Sequence, residues 1–377
     1  MSRPVQLLSH ALREARDVTE DDEILEHALS SLTIYRPYPS TFLPRVKKLK
    51  FSGWEGDEYR PVLWSQLPSL FARNGNTLTL PDNLVILNDG HFNPLSNILS
   101  EIPNCSLVFG TTRFGQERIG GKIDYVNLNV MLFHPFQNCS TLKTLDLFKL
   151  DTSVISRMEQ MFQGCSSLTA VDTSNFNTSK VTTMRDMFDG CSSLPAIDLS
   201  SFNTSNTTDM MEMFQGCMSL MSLDLSSFDT SQVTGFSGMF QNCKALPKLD
   251  LSNFNTSNVT MMDRMFEGCS TLTSLDLSSF DISKVTTMEN MFRNCSNLTT
   301  LNLAGWDTPL GINLRYLLDN CNNLTTIICS HLMMSHLISK GQITDSDNVL
   351  SASIMVDHTM TKSLTWTIEN FNLKSVA

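Results

Sequence analysis

Positive charge is scarce in this chain of 377 residues: 27 Lys and Arg stand against 38 Asp and Glu, a net charge of −11. Nucleic-acid recognition leans on Lys and Arg set against phosphate, so that class of partner is not expected. An anionic membrane surface is disfavoured for the same reason. Charge of either sign is thin as well, at 17% of residues, below the usual ~25%. Ser, Thr and Asn take its place. No apolar run reaches the ~18 residues of a membrane span. The opening MSRPVQLLSHALREAR interrupts its apolar residues with Ser9, His10 and Arg13, so no signal-peptide core is read there. No lipidation or anchor signal is read either. The expected location is therefore cytoplasmic or within a particle, with the cell surface disfavoured.

What the chain does have is a period. A cysteine returns every 26 residues at 139, 165, 191, 217, 243, 269, 295 and 321. Eight cysteines at one repeat position read as a buried apolar column rather than a disulfide framework, because free Cys behaves as a small hydrophobe. Three residues after each comes Leu, from Leu142 to Leu324. Six and eight residues on, apolar side chains alternate, as in Leu275-Asp276-Leu277. That is a short strand with one buried face. Eleven residues on stands Phe in five repeats, Phe176 through Phe280. One strand per coil requires a parallel sheet.

The second half of each repeat changes spacing. Val181, Met184 and Met187-Phe188 recur three and four residues apart, which predicts one or two turns of helix. Thr182, Thr208, Thr260 and Thr286 stand where an N-cap is wanted. The residue before each cysteine in the array is Gly or Asn, from Gly164 to Asn320, the types that accept the left-handed conformation ending a helix. The expected fold is an α/β repeat solenoid of leucine-rich-repeat type, with a parallel β-sheet on one face and short helices on the other. Such an array packs neighbour on neighbour and needs capped ends.

Around the regular repeats of 139–330 the chain divides into three further parts. Residues 1–50 predict a helical N-terminal cap, with Val5, Leu8, Leu12 and Ala15 on one helix face and a second helix from Thr19. Residues 51–138 predict an irregular region of degenerate early coils. Strands are suggested at Leu78–Leu80 and Leu84–Leu87, and near Val46, Leu49 and Phe51, and a repeat-like start at Cys105. Residues 331–377 predict a C-terminal cap whose last strand alternates Leu364, Trp366 and Ile368.

The pattern C-x-x-L-x-x-L-D-L-S-x-F-(D/N)-T-S-x-V-T-x-M-x-x-M-F-x-(G/N), fullest in CSTLTSLDLSSFDISKVTTMENMFRN at 269–294, resembles the BspA-like leucine-rich repeat. It is also the repeat of Mycoplasma-type surface lipoproteins. The resemblance covers residues 139–329. It implies a leucine-rich-repeat solenoid without catalysis. Members are often adhesins of bacteria and protists, and large DNA viruses carry many.

Several constellations could carry chemistry. The seventh residue after each cysteine is Asp146, Asp172, Asp198, Asp224, Asp250 and Asp276, then Asn302. Each lies between two inward residues and so faces out, making a carboxylate ladder flanked by Ser. It reads either as solvated side chains bonded to Ser and Thr or as a docking face for a basic protein. The methionines at 158, 184, 210, 262 and 288, and at 161, 187, 213, 239, 265 and 291, read as core. Cys321, Cys329, His331 and His336 carry zinc-type ligands, but both cysteines fall on inward columns. Gly115-Gln-Glu-Arg-Ile-Gly120-Gly121-Lys122 approaches a phosphate loop yet lacks the Ser or Thr after Lys. Sequons such as Asn177-Thr-Ser follow from the repeat itself. No catalytic residue, cofactor or metal is expected. The functional expectation is a non-enzymatic protein-interaction scaffold, intracellular or virion-associated. The alternatives are a cell-surface adhesin and a structural component of a large virus particle.

Overall fold

The computed structural model describes residues 60–82, 84–87, 102–108, 112–114, 134–306 (154 apart) and 311–339. Beyond these it describes the strands at 343–345, 364–367 and 371–373 and the single residues 95, 99 and 341. The helices expected in 1–50, the strand near Phe51 and the loop at Gly115–Lys122 lie outside the described residues.

The chain winds as a solenoid with one coil per 26-residue repeat. On one side, strands β2 (Ala72–Asn74), β3 (Thr77–Thr79), β5 (Cys105–Val108), β7 (Leu142–Asp146) and β9 (Ala170–Asp172) join in that order. β2 and β3 form an antiparallel hairpin, and the rest run parallel. A second parallel sheet joins β1 (Arg60–Leu63), β4 (Leu84–Leu87), β6 (Thr112–Phe114) and β8 (Leu150–Asp151). In the parallel register Thr77 pairs with Ser106, Ser106 with Thr144, and Thr144 with Ala170. The first two steps exceed 26 residues and the third equals it, so the early coils carry insertions and the later ones do not.

The strand side resumes at β10 (Ser274–Asp276), β11 (Thr300–Asn302) and β12 (Thr326–Cys329), again parallel. Between β9 and β10 three coils keep the alternation of buried and exposed residues without a regular ladder. Pro195 and Pro247 bracket them, and each removes an amide from the position where Thr169, Met221 and Thr299 donate to the preceding coil. A proline in a sheet deletes a ladder bond, and this accounts for the gap. At the far end β14 (Leu364–Thr367) pairs antiparallel with β12, and β13 (Ile343–Asp345) pairs with β15 (Phe371–Leu373). Helix α1 (His331–Ser339) buries Met333, Met334 and Leu337 against the last coils.

The other side of each coil corrects the helical expectation. The three- and four-residue spacing of Met158, Met161, Phe162 and Cys165 arises from overlapping reverse turns. The Met161 amide donates to the Met158 carbonyl, that of Gln163 to Gln160, and that of Cys165 to Phe162. Gln160 and Gly164, third in the first and last of these turns, have φ of +55° and +72°, as type II turns require. The remaining amides bond to the next coil instead of within a helix. Phe162, Phe188, Phe214, Phe240 and Phe266 each donate to a Met carbonyl 25 residues on at 2.9 Å. Thr182, Thr208, Thr260 and Thr286 are not caps. Each donates both its amide and its hydroxyl to the carbonyl 26 residues before it, with hydroxyl distances of 3.1–3.3 Å. Bridges between 157, 183, 209, 235, 261, 287 and 313 run unbroken along this side, so the continuous seam of the solenoid is its turn face.

Each coil is filled by fixed columns. Phe136, 162, 188, 214, 240, 266 and 292 form one stack, with centroids 5.1–6.0 Å apart. Phe176 to Phe280 form a second column, closed by Trp306, whose indole N–H donates to the Leu277 carbonyl at 2.9 Å. The two methionine columns are all buried. From Cys165 to Cys321 each thiol donates to the Phe carbonyl 29 residues earlier at 2.9–3.2 Å. A buried Thr column was missed by the sequence reading. Thr178, Thr204 and Thr230 each donate a hydroxyl to the carbonyl of the residue 25 on, and accept that residue's amide at 2.7–2.8 Å.

Candidate functional site

Two long surfaces remain outside this core. The strand face carries the expected Asp ladder. Asp146, Asp198, Asp224, Asp250 and Asp276 are exposed and Asp172 half-buried. Asp146 lies level with Asp172 in the sheet, and Asp276 with Asn302. The carboxylates do not point freely outward. Each turns back on its own coil and accepts the amide two residues on at 2.9–3.0 Å, from Phe148 for Asp146 and from Ser174, Ser200, Ser226, Ser252 and Ser278 for the rest. The Ser174 and Ser278 hydroxyls add bonds of 2.6 Å. These bonds favour the anion and hold Asp198, Asp224, Asp250 and Asp276 below the usual carboxylate range. Repulsion from Asp198 on Asp224, and from Asp224 on Asp250, works the other way but is smaller. The ladder is therefore a set of local turn caps. Asn177, Asn203, Asp229, Asn255 and Asp281 repeat the device at the next corner, each capping a Ser two residues on.

The turn face differs in kind. Its positions outside the apolar columns change from coil to coil and range from exposed, as at Arg157 and Arg185, to buried, as at Asp186 and Met211, whereas the core and corner columns barely change. One coil presents Arg157, Glu159, Gln160 and Gln163, and the next presents Thr183, Arg185, Asp186 and Asp189. Then come Asp209, Met211, Glu212 and Gln215, followed by Gly235, Ser237, Gly238 and Gln241. Over seven coils these four columns hold nine carboxylates, five arginines and no lysine. Side chains bond along the array: Gln163 to Asp189 at 2.9 Å, Gln160 to Asp186 at 3.0 Å, Gln241 to Glu267 at 2.8 Å, and Arg293 to Asp319 at 3.2 Å. Three buried side-chain oxygens on this face lack a hydrogen-bond partner: Asp186 Oδ1, Asn290 Oδ1 and Asp319 Oδ1. All three are acceptors.

The sequence reading did not single out this face. The available signal was variability between repeats at fixed columns. The positive φ at Gln160, Glu212, Arg264 and Tyr316 had no sequence signature, since only Asp186, Gly238 and Asn290 in that column are types suited to it.

The cysteines offer little reactive chemistry. All ten are free and buried. Burial raises the thiols from Cys165 to Cys321, pushing Cys269 and Cys321 up to about 12, so they are not nucleophiles near neutral pH. The Cys321 thiol donates a hydrogen bond to the Phe292 carbonyl at 2.9 Å. Among the described residues, no group of three or more His, Cys, Asp or Glu side chains is arranged to hold a metal ion. No helix among them is long and apolar enough to cross a membrane.

Comparison with known proteins gives one clear result. No curated protein matches the chain. A solved structure titled "Crystal structure of TLR13-ssRNA13 complex" is 16% identical over 73% of this chain and 49% of its own, with a TM-score of 0.17. The chain thus spans about half that protein's length, and so low a TM-score carries no argument. The family described as "Mycoplasma protein of unknown function, DUF285" matches residues 130–246 and 218–331. These matches run through the whole array and cover more than half of the sequence, so the chain belongs to that family.

Proposed function

We propose that the protein is a non-catalytic scaffold of BspA-like leucine-rich-repeat type that binds another protein through its turn face. One observation carries this reading. Core and corner columns are nearly identical from coil to coil, while four columns of the turn face vary. Packing fixes the first set, because every coil must bond to the next in the same register. The backbone bonding between coils leaves the second set free to differ, and complementary pairs such as Gln163 with Asp189 and Arg293 with Asp319 join only some of its members. A surface that varies along a rigid array presents an irregular pattern of charge and shape, as recognition of one irregular partner requires. The strand face presents the same Asp and Ser in coil after coil, and its carboxylates are engaged locally. Ten buried thiols need no oxidising compartment, in keeping with an intracellular or particle-associated setting.

Photo-crosslinking residues test the reading. Placed singly at Glu159, Ser237 and Glu289 they report on the turn face, and at Ser200, Ser226 and Ser252 on the strand face. Expressed in the native source and irradiated, the turn-face set should give a discrete protein adduct and the strand-face set none. Adducts from the strand face alone would refute the assignment.

A further inference from the structure

On the turn face the coils that carry Asp186 and Glu212 hold an acidic cluster with too few donors. Its carboxylates are Asp186, Asp189, Asp209 and Glu212, and the single base is Arg185, 3.5 Å from Asp209. The Asp186 and Glu212 carboxyl groups meet across adjacent coils. Asp186 is 6% exposed; Oδ2 accepts the Gln160 amide at 3.0 Å, and Oδ1 has no partner.

The next coil adds no charge to the cluster. It contributes Gly235, Ser237, Gly238 and Gln241 and no titratable side chain. Gly238 makes room for the Glu212 stem, since a Cβ there would lie 2.9 Å from Glu212 Cγ. Met211 lies over Gly235, where a Cβ would collide with its methyl.

We infer that the Asp186–Glu212 pair receives an arginine side chain from the protein partner. Two carboxyl groups on neighbouring coils offer paired acceptors to a planar fork of N–H donors. The unpartnered Oδ1 needs a donor, and the excess of acid over base needs a cation. A divalent metal is a poorer occupant, because the cluster lacks the converging ligand set it requires. This inference rests on the turn-face reading and narrows it.

A titration consequence follows. Without the guest, burial and Asp186 push the Glu212 carboxyl up to about 7, Asp189 adds to the shift, and Arg185 opposes it. In that state a proton shared by the pair is the donor that Asp186 Oδ1 otherwise lacks. An arriving guanidinium displaces that proton, so affinity rises with pH through about 7.

The test uses the full chain, methyl-labelled at methionine, with the Met211 signal read by NMR. The probe is a short alanine peptide carrying one arginine, with its citrulline counterpart as control. The arginine peptide should shift Met211 saturably, and about tenfold more tightly at pH 8 than at pH 5.5. D186N/E212Q should weaken it at least tenfold, while D224N/D250N leaves it unchanged. The wild-type pH series needs no variant, so a folding defect in D186N/E212Q cannot obscure the outcome. Equal responses to both peptides, or loss of response in D224N/D250N instead, would overturn the inference. Turn-face crosslinks could still form in that event, so the two proposals fail separately.

Discussion

Replacing Thr204 with Val removes one hydroxyl and leaves the side-chain shape intact. Thr204 is 1% exposed. Its Oγ1 donates to the Asp229 carbonyl at 2.9 Å and accepts the Asp229 amide at 2.8 Å. Val fills the same volume, so no cavity forms. Two backbone groups of the next coil lose their partner at once. Each bond is worth about 1 kcal/mol net, and more where water cannot reach the orphaned group, so the expected loss is about 2–3 kcal/mol. Thr208→Val is the control. Its hydroxyl is exposed, and the Thr182 carbonyl that it meets already accepts the Thr208 amide at 2.9 Å, so the cost should stay under about 0.5 kcal/mol. Urea unfolding followed by circular dichroism measures both, with the slope unchanged if only stability moves. Amide exchange at Asp229 should quicken in T204V, because each coil contacts only its neighbours. Equal midpoints for T204V and T208V would refute the assignment of the buried Thr column.

Further outcomes follow from other columns. The ten thiols should resist alkylation at pH 8 in the native protein and react together on unfolding, as a mass-resolved time course would show; one fast native thiol would contradict their burial. Gly268→Ala should cost more than Gly190→Ala in thermal unfolding. Both hold positive φ, worth about 1–2 kcal/mol to a Cβ, but only at Gly268 would the Cβ also strike the Asn242 side chain. For Glu212 the folded carboxyl lies near 7, above its ordinary value of 4.5. Its penalty is absent below about pH 4.5, grows as pH rises, and is complete above about 7. The stability gap between E212Q and wild type should therefore widen over that window in urea titrations, and a flat gap would exclude the carboxyl pair. D198N/D224N/D250N should fold, because Asn caps the same kind of turn at Asn177 and Asn203, but with a slightly lower midpoint at pH 7, since the bonds that hold these carboxyls down favour the anion; a higher midpoint would show that repulsion along the ladder outweighs those bonds.

The solenoid was legible because its signals repeat. One Cys or Leu says little, but the same residue at eight equal steps fixes a coil, and alternation at Leu275-Asp276-Leu277 fixes which side faces in. The turn half was misread because overlapping turns and a helix share the same three- and four-residue spacing. What separates them is a left-handed residue at Gln160, Glu212 or Arg264, and those residue types do not announce it. The buried Thr column was hidden by its polar neighbours in the (D/N)-T-S corner, where a hydroxyl is read as solvated until the next coil's backbone is placed beside it. Asp146, Asp172 and Asp276 of the ladder stand in strands and Asp198, Asp224 and Asp250 in coils without a regular ladder, and their bonds to Phe148 and Ser could not be oriented from the sequence. The turn face was overlooked for a different reason. A period shows itself through columns that repeat, whereas the turn face differs from the core by columns that do not.

The most direct test of that assignment is an exchange of the variable columns alone. Replacing Arg157, Glu159, Gln160 and Gln163 with the residues of the next coil, and those of the next coil with theirs, leaves the core, the corners and the strand-face ladder untouched. The account predicts an unfolding midpoint close to wild type and loss of the crosslinked partner. Retention of that partner by a folded exchange variant would contradict it.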